Sequence, residues 1–371
     1  MPEVPARPYI GGQAVIEGVM MRSPGSISIV CRRRTGELVV RERPVVEQPG
    51  GLRKLPFLRG IATVVESLKM GSEALRWSAK LYEEDLIAEE EEGRTAPAPK
   101  GPSVLSMLAL SMVALATQED GKTHLPGEPE EKRSPLLSIL PILFAVGLFV
   151  ALPQLGAEGI NKLFKLGLEV NSPGFQAITG ASKLAIVVGY LSLIRRMPQV
   201  RRVFQYHGAE HKSISTYEAQ EELVVENARK KTTMHPRCGT TFLVMVALVS
   251  ILVFTGVGAL LPVVSTHRVV QSVAFFFMKL PFLPFIAALT FEIQRIFARY
   301  CTTGPLRALL WPGFLVQKIT TAEPDDTQLE VALASLHAAL WREAAIKAPA
   351  PADRVFPSYG ELLADPGYAR A

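Results

Sequence analysis

The chain has 371 residues, 48% of them hydrophobic, with 40 Lys and Arg against 35 Asp and Glu. A mean hydropathy of +0.22, together with long uncharged runs, excludes the pair of ordinary soluble domains that the length alone would allow. Three widely separated cysteines, Cys31, Cys238 and Cys301, exclude a disulfide framework and fit a reducing compartment.

Taken in chain order, residues 1–9 hold no apolar run, so no signal peptide is expected. Residues 11–22 read GGQAVIEGVMMR and place Glu17 in apolar surroundings, where a carboxylate is costly unless it is paired or protonated. Glu17 is therefore a candidate metal ligand, an acid/base group, or the partner of an arginine. Residues 26–34 and 37–43 flank Thr35-Gly36 and predict a β-hairpin. The run Arg32-Arg33-Arg34 suits a solvated strand end near a negative membrane surface. Ile61, Val64, Val65, Leu68, Leu75 and Tyr82 recur at helical spacing and predict an amphipathic helix over 58–82, lying at the membrane surface beside Arg53, Lys54 and Arg59. Residues 93–134 read as a flexible linker around an uncharged run, 104–117, that is too short for a full span.

Four apolar segments follow, at 136–155, 175–194, 241–262 and 269–291, each near the ~20 residues that cross a bilayer. Lys183 and Lys279 are the charges that interrupt them before Glu292 and Arg295, which are spaced for a helical ion pair. Lys279 is expected at the outer interface, with Pro281 opening the membrane helix proper. The loop 195–240 carries Arg195, Arg196, Arg201, Arg202, Lys212, Arg229, Lys230, Lys231 and Arg237, whereas 156–174 has Lys162 and Lys165, and 263–268 has Arg268. The positive-inside rule puts that loop and both termini in the cytoplasm. The basic pI follows from topology and anionic lipid, so no nucleic acid partner is expected.

The expected fold is therefore mainly α: a polytopic helical membrane protein of about four transmembrane helices with a small N-terminal β-containing cytosolic region. Four units are expected. Residues 1–92 form a cytosolic hairpin plus amphipathic helix, and 93–134 a linker. Residues 135–300 form a four-span membrane domain, and 301–371 a cytosolic helical region and tail. In the last unit, 301–319 turns repeatedly. Leu329, Leu333, Leu336 and Leu340 then mark a helix ending near Lys347, and the tail after Pro349 is expected to be poorly ordered.

The loop 195–240 carries the chemistry. His207-Gly208-Ala209-Glu210-His211 reads H-x-x-E-H, which puts two imidazoles on one helical face with Glu210 available as a general base. The bland alternative is a polar helix end near lipid head groups. His235-Pro236-Arg237-Cys238 adds two more ligands, both of types that suit zinc, at a spacing a tight turn can present to one ion. Cys238 read plainly is a small buried residue at the start of a span. Four ligands, His207, His211, His235 and Cys238, would close the shell structurally, whereas three would leave a place for water.

These segments resemble a known family. The opening GGQAVIEGVMMR, Pro56-Phe57-Leu58-Arg59-Gly60, Gly208-Ala209-Glu210-His211-Lys212, Val225-Glu226-Asn227, His235-Pro236-Arg237-Cys238-Gly239 and Glu323-Pro324-Asp325-Asp326 resemble, in this order, the bacterial YqhQ-like family. The resemblance covers about residues 8–342, with 93–134 as an insertion. It implies a metal-dependent inner-membrane enzyme of unknown substrate. Residues and resemblance together lead to the expectation of a divalent metal, zinc by ligand type, and a hydrolytic activity with Glu210 as catalytic base and Glu17 as a further candidate. The expected surroundings are the lipid bilayer and an unidentified substrate. The alternative is a non-enzymatic assembly or translocation factor, with membrane protein partners and a structural His/Cys cluster.

Overall fold

The structure, a computed structural model, describes residues 7–45, 55, 57–91, 147–301, 305–345, 352–366 and 368. The run 104–117, the whole of the linker 93–134 around it and residues 136–146 of the segment 136–155 lie outside the described residues.

Five strands, β1 (Gly11–Val15), β2 (Gly18–Arg22), β3 (Ser26–Arg32), β4 (Leu38–Pro44) and β5 (Arg354–Phe356), form an antiparallel sheet in that order. The expected hairpin is β3–β4, with Val30 opposite Val40 and Gly36 at φ 98° in its turn, a conformation glycine adopts without a Cβ clash. The GGQAVIEGVMMR segment is also a hairpin, β1–β2. Side chains alternate across the sheet, so its two faces enter different cores. Val19, Met21, Val30, Leu38 and Val40 face one core, and Val15, Met20, Ile29, Cys31 and Val39 the other.

The second face is covered by α1 (Leu58–Glu91) through Ala74 and Trp77. The helix is longer than the 58–82 expected. Its first turns meet another helix, since the guanidinium of Arg59 donates to Glu292 at 2.8 and 2.5 Å. Glu292 thus pairs with a residue far away in the chain, while its helical neighbour Arg295 acts on it only as a minor electrostatic influence, and no spacing rule within one helix reveals that partner.

Eight α-helices between the linker and residue 320 can be followed among the described residues: α2 (Leu152–Leu163), α3 (Pro173–Ile194), α4 (Pro198–Glu218), α5 (Val225–Arg229), α6 (Gly239–Val257), α7 (Arg268–Lys279), α8 (Phe282–Tyr300) and α9 (Trp311–Thr320). Ser172 and Pro173 start α3 in the usual way, by a side-chain cap and a ring that fits the first turn. Two helical segments are long and apolar enough to cross a membrane, Pro173–Ile194 and Gly239–Leu260. A third is present if α7 and the adjoining Phe282–Phe297, bent by 53°, count as one span. The stretch 301–319, expected to turn repeatedly, contains α9 because Pro312 sits in the first helical turn, where a missing N–H costs nothing.

The first sheet face is covered by α10 (Asp326–Ala344), capped by reciprocal hydrogen bonds between Asp325 and Gln328. Leu329, Leu333 and Leu336 are buried as the spacing predicts, but so are Ala332, Ala334, Ser335, Ala338 and Ala339. These small residues let the helix lie close on the strands: Ser28 Oγ donates to Ser335 O at 2.5 Å, and Ser26 Oγ to Ala339 O at 3.1 Å. The other side of α10 packs on α4 and α5, so Tyr206, Ala209, Ile214 and Ala228 share one core with the sheet.

The described part of the tail is ordered, contrary to expectation. β5 adds to β4, α11 (Tyr359–Ala364) packs on α10, and Tyr368 is fully buried. Aromatic contacts and charge hold it there. The Tyr368 ring lies edge-on to Trp341 and Phe356 at 5.6 and 5.8 Å, with the Arg354 guanidinium 4.3 Å above it. Its hydroxyl donates to Glu42, whose carboxyl burial pushes up while Tyr368 and Arg354 pull it back. Tyr368→Ala is expected to lower stability by about 3 kcal/mol, as for other buried aromatic truncations. Thermal unfolding of the purified chain checks this, and an unchanged midpoint would detach the tail from the core.

Candidate metal centre

The helix α4 carries His207 and His211 one turn apart, with ring centroids 4.4 Å from each other. Cys238 joins them from the N-cap of α6, where its sulfur accepts the Thr240 N–H at 3.4 Å. Ligand atoms of these three residues all lie within 4.8 Å of one another and could hold a metal ion. His211 and Cys238 are buried and His207 is partly so.

Main-chain carbonyls orient both rings. His207 Nδ1 lies 2.9 Å from Thr320 O, and His211 Nδ1 lies 2.5 Å from Thr233 O. A carbonyl only accepts, so the proton of each neutral ring is on Nδ1 and the Nε2 lone pair is free to bind. His207 Nε2 stands 3.1 Å from Cys238 Sγ. His211 Nε2 is buried without a geometrically sound hydrogen bond, although the Cys238 sulfur is close enough to interact with it. A buried orphan nitrogen calls for a partner, and a metal ion among two imidazoles and a thiolate would satisfy it. Burial lowers the pKa of His211, which favours the neutral form that ligation needs.

Glu210 is 4% exposed, and its Oε2 has no hydrogen-bond partner. Burial raises its pKa, while His207 and His235 act in the opposite direction. It lies against β1: a Cβ on Gly12 would stand 2.7 Å from its Cγ. The absence of a side chain at Gly12 is what makes room for this carboxylate.

The structure places the other two candidates outside the triad. His235 is buried beside it, its ring 5.7 Å from that of His211, but Nε2 lies 3.3 Å from Glu218 Oε2. Its main chain is clamped by Gln317, which accepts the His235 N–H at 2.9 Å and donates to the His235 carbonyl at 2.8 Å. Burial lowers its pKa too. Glu17 occupies the β1–β2 turn at φ 52°, pairs with the Arg202 guanidinium and accepts the Tyr206 hydroxyl at 3.2 Å.

Sequence reasoning missed what positions the ligands. Gly208 is required because a Cβ there would strike the Ala322 carbonyl. Its absence lets the strand-like segment after α9 cross α4, where Ala322 N–H donates to Phe204 O at 2.9 Å and Thr320 O reaches His207. Lys212 pairs with Glu323 in the same crossing, and Arg229 grips Asp326 through two bonds of 3.0 and 2.6 Å. The signal was present: the glycine of H-G-A-E-H and the acidic Glu323-Pro324-Asp325-Asp326 are two halves of one contact.

Comparison with known proteins agrees with this set of motifs. The family described as "Protein of unknown function (DUF1385)" matches residues 55–342. "Uncharacterized protein YqhQ" of Bacillus subtilis (strain 168) is 31% identical over 345 residues, 91% of this chain and 94% of the relative. No solved structure matches the chain.

The strained carboxylate gives a pH-dependent expectation. Because the folded pKa of Glu210 is raised, its ionisation costs stability in full above that pKa, and the cost declines as pH falls from there to the lower unfolded value, below which it is gone. In chelator-treated protein, Glu210→Gln should therefore be more stable than wild type at pH about 8, with the gap closing toward pH about 5. Thermal midpoints across that range measure it, and a gap that is constant or widens with acid contradicts it.

Proposed function

The chain belongs to the DUF1385 family, and we propose that it is a metal-dependent hydrolase of the bacterial inner membrane, with its centre at the cytosolic face. His207, His211 and Cys238 hold a divalent ion, zinc by donor type, and Glu210 is the general base. The observation that carries this is the oriented triad: two imidazoles pinned through Nδ1 with the orphaned His211 Nε2 facing a cysteine sulfur. A three-ligand set of this kind supplies Lewis acidity and an acidified water when the ion is bound. The chain's own contribution is to keep both rings aimed and His211 neutral, and to hold a desolvated carboxylate ready to take a proton at Oε2. His235 and Glu218 stand beside the ligands and help set the charge around Glu210.

Parity supports four crossings. The sheet, α4 and α10 share one hydrophobic core, so they lie on one side of any membrane. The chain must then cross an even number of times before α4 and again between α4 and α10. In the first interval α3 is one crossing, and the apolar segment 136–155 supplies the other. In the second, α6 goes out and the bent α7–α8 pair returns. The basic residues of 195–240 place the shared core in the cytoplasm. The bilayer surrounds the spans, and the substrate is left open.

A second reading has its own observation. His235, buried next to His211, stands where a modest shift could complete a closed structural shell in a non-enzymatic assembly or translocation factor.

Metal analysis of the purified protein separates these. One equivalent of metal is expected in wild type and in Glu210→Gln, and none in His211→Ala. Glu210→Gln should also fail to replace wild type in a deletion strain. A metal-free wild type purified without chelator removes the metal reading, and a functional Glu210→Gln favours the structural one. For topology, Lys165→Cys in the α2–α3 loop should react with an impermeant maleimide on intact cells, whereas Lys230→Cys should react only after lysis. The reverse pattern would invert the orientation.

A further inference from the structure

A second polar site lies away from the metal centre, among the apolar helices. A cavity of about 90 Å³ opens between α2, α3, α6 and α7, lined by Gln154, Gln176, Lys183, Ser250, Ser272 and Lys279 among others. Among the described residues that line it there is no carboxylate. Both lysines face it, and they repel one another. Lys279 donates to Gln176 Oε1 at 2.5 Å and lies 5.2 and 5.7 Å from the rings of Phe254 and Phe275. Those contacts soften the burial of a cation but do not neutralise it. Lys183 sits exposed at the rim, and no ion pair to it is found among the described residues.

The depth makes this arrangement costly. Along α6, Ser250 and Phe254 lie about 17–23 Å from Gly239 at 1.5 Å per residue, well inside a hydrocarbon layer of about 30 Å. Ammonium groups at such depth are rare and mark ligand or ion paths. Two of them converging on one polar cavity without a counter-charge lack the partner that would offset their desolvation. Amide and hydroxyl groups around them suit a tetrahedral oxyanion, for which lysine is a common point-charge ligand.

We propose that this cavity is a binding site for a phosphate-bearing anion, with Lys183 and Lys279 as its charge partners. The exposed rim at Lys183 gives it a sideways entrance, which fits a phospholipid head group entering from the bilayer half distant from the sheet. Free phosphate shares the same chemistry and is the alternative source. The site rests on the membrane placement of α3, α6 and α7, and does not depend on the metal or on hydrolysis.

The test uses the delipidated full-length chain in non-ionic detergent, analysed by native mass spectrometry. The probes are phosphatidylglycerol, diacylglycerol with the same acyl chains, and inorganic phosphate. Wild type should retain one phosphatidylglycerol, and Lys183→Gln and Lys279→Gln should each weaken it about tenfold or more, a loss expected for a direct charge contact. Lys183→Arg should keep most of the binding. Displacement of the lipid by inorganic phosphate would support the site and name a soluble anion as its ligand. Equal retention of diacylglycerol, unchanged binding in both glutamine variants, or no binding of either phosphate probe would overturn the proposal. The wild-type comparison of the two lipids decides even if the variants fail to fold. Metal content is measured on the same samples, so failure of the metal centre and failure of this site are read separately.

Discussion

A helix that buries almost its whole circumference can be placed only when everything that covers it is in place. That is the condition α10 sets. Its alanines and Ser335 allow strands on one side at hydrogen-bonding distance, and its leucines and valine fill the space toward α4, α5 and α11. Apolar burial of this kind is the largest favourable contribution to folding. Here it ties together residues near the start, the middle and the end of the chain. The metal centre inherits its geometry from that tie, because the segment leading into α10 is the one that crosses Gly208 and delivers Thr320 O to His207.

The centre is consequently built by backbone as much as by side chains. The helix α4 offers two rings and a carboxylate, but carbonyls from two separate loops fix how the rings point. A strand with no side chain at Gly12 receives the carboxylate. Such support restricts the rotation of each ligand, and that restriction is what separates a ligand set from a chance cluster of histidines. Glu210 is kept ionisable in an environment that disfavours its charge, a strain more consistent with chemistry than with stability.

Much of this was legible in the sequence, and what was not has specific causes. The i, i+4 histidines follow from helical geometry, and the β3–β4 hairpin from alternation around Thr35-Gly36. The leucines of α10 follow from their spacing. The strands β1 and β2 were not read as strands because β2 is covered on both faces, so Val19, Met20 and Met21 show no polar alternation. β5 escaped because a three-residue edge strand has almost no local signal and is held by Arg354 and Tyr368 reaching across the sheet. His235 was grouped with Cys238 by spacing, yet its ring turns toward Glu218, a residue at the far end of α4. Two helices long and apolar enough to cross a membrane were clear from apolar length, while the kink between α7 and α8 divides a third segment into pieces that neither length nor composition resolves.

The distance along the chain between partners in the core also constrains how the protein is made. Ser28 must wait for Ser335, 307 residues later, before its face of the sheet is covered. At a synthesis rate of about 5–20 residues per second, that interval is about 15–60 s. During it, β2 and β3 can be covered by α1 on one side only, while the apolar helices between them and α10 are being made. The exposed face carries Val19, Met21, Val30, Leu38 and Val40, a surface prone to pairing with other nascent chains. Docking of α10 is therefore a late event in folding, and a chain cut short before α10 would leave that face of the sheet uncovered.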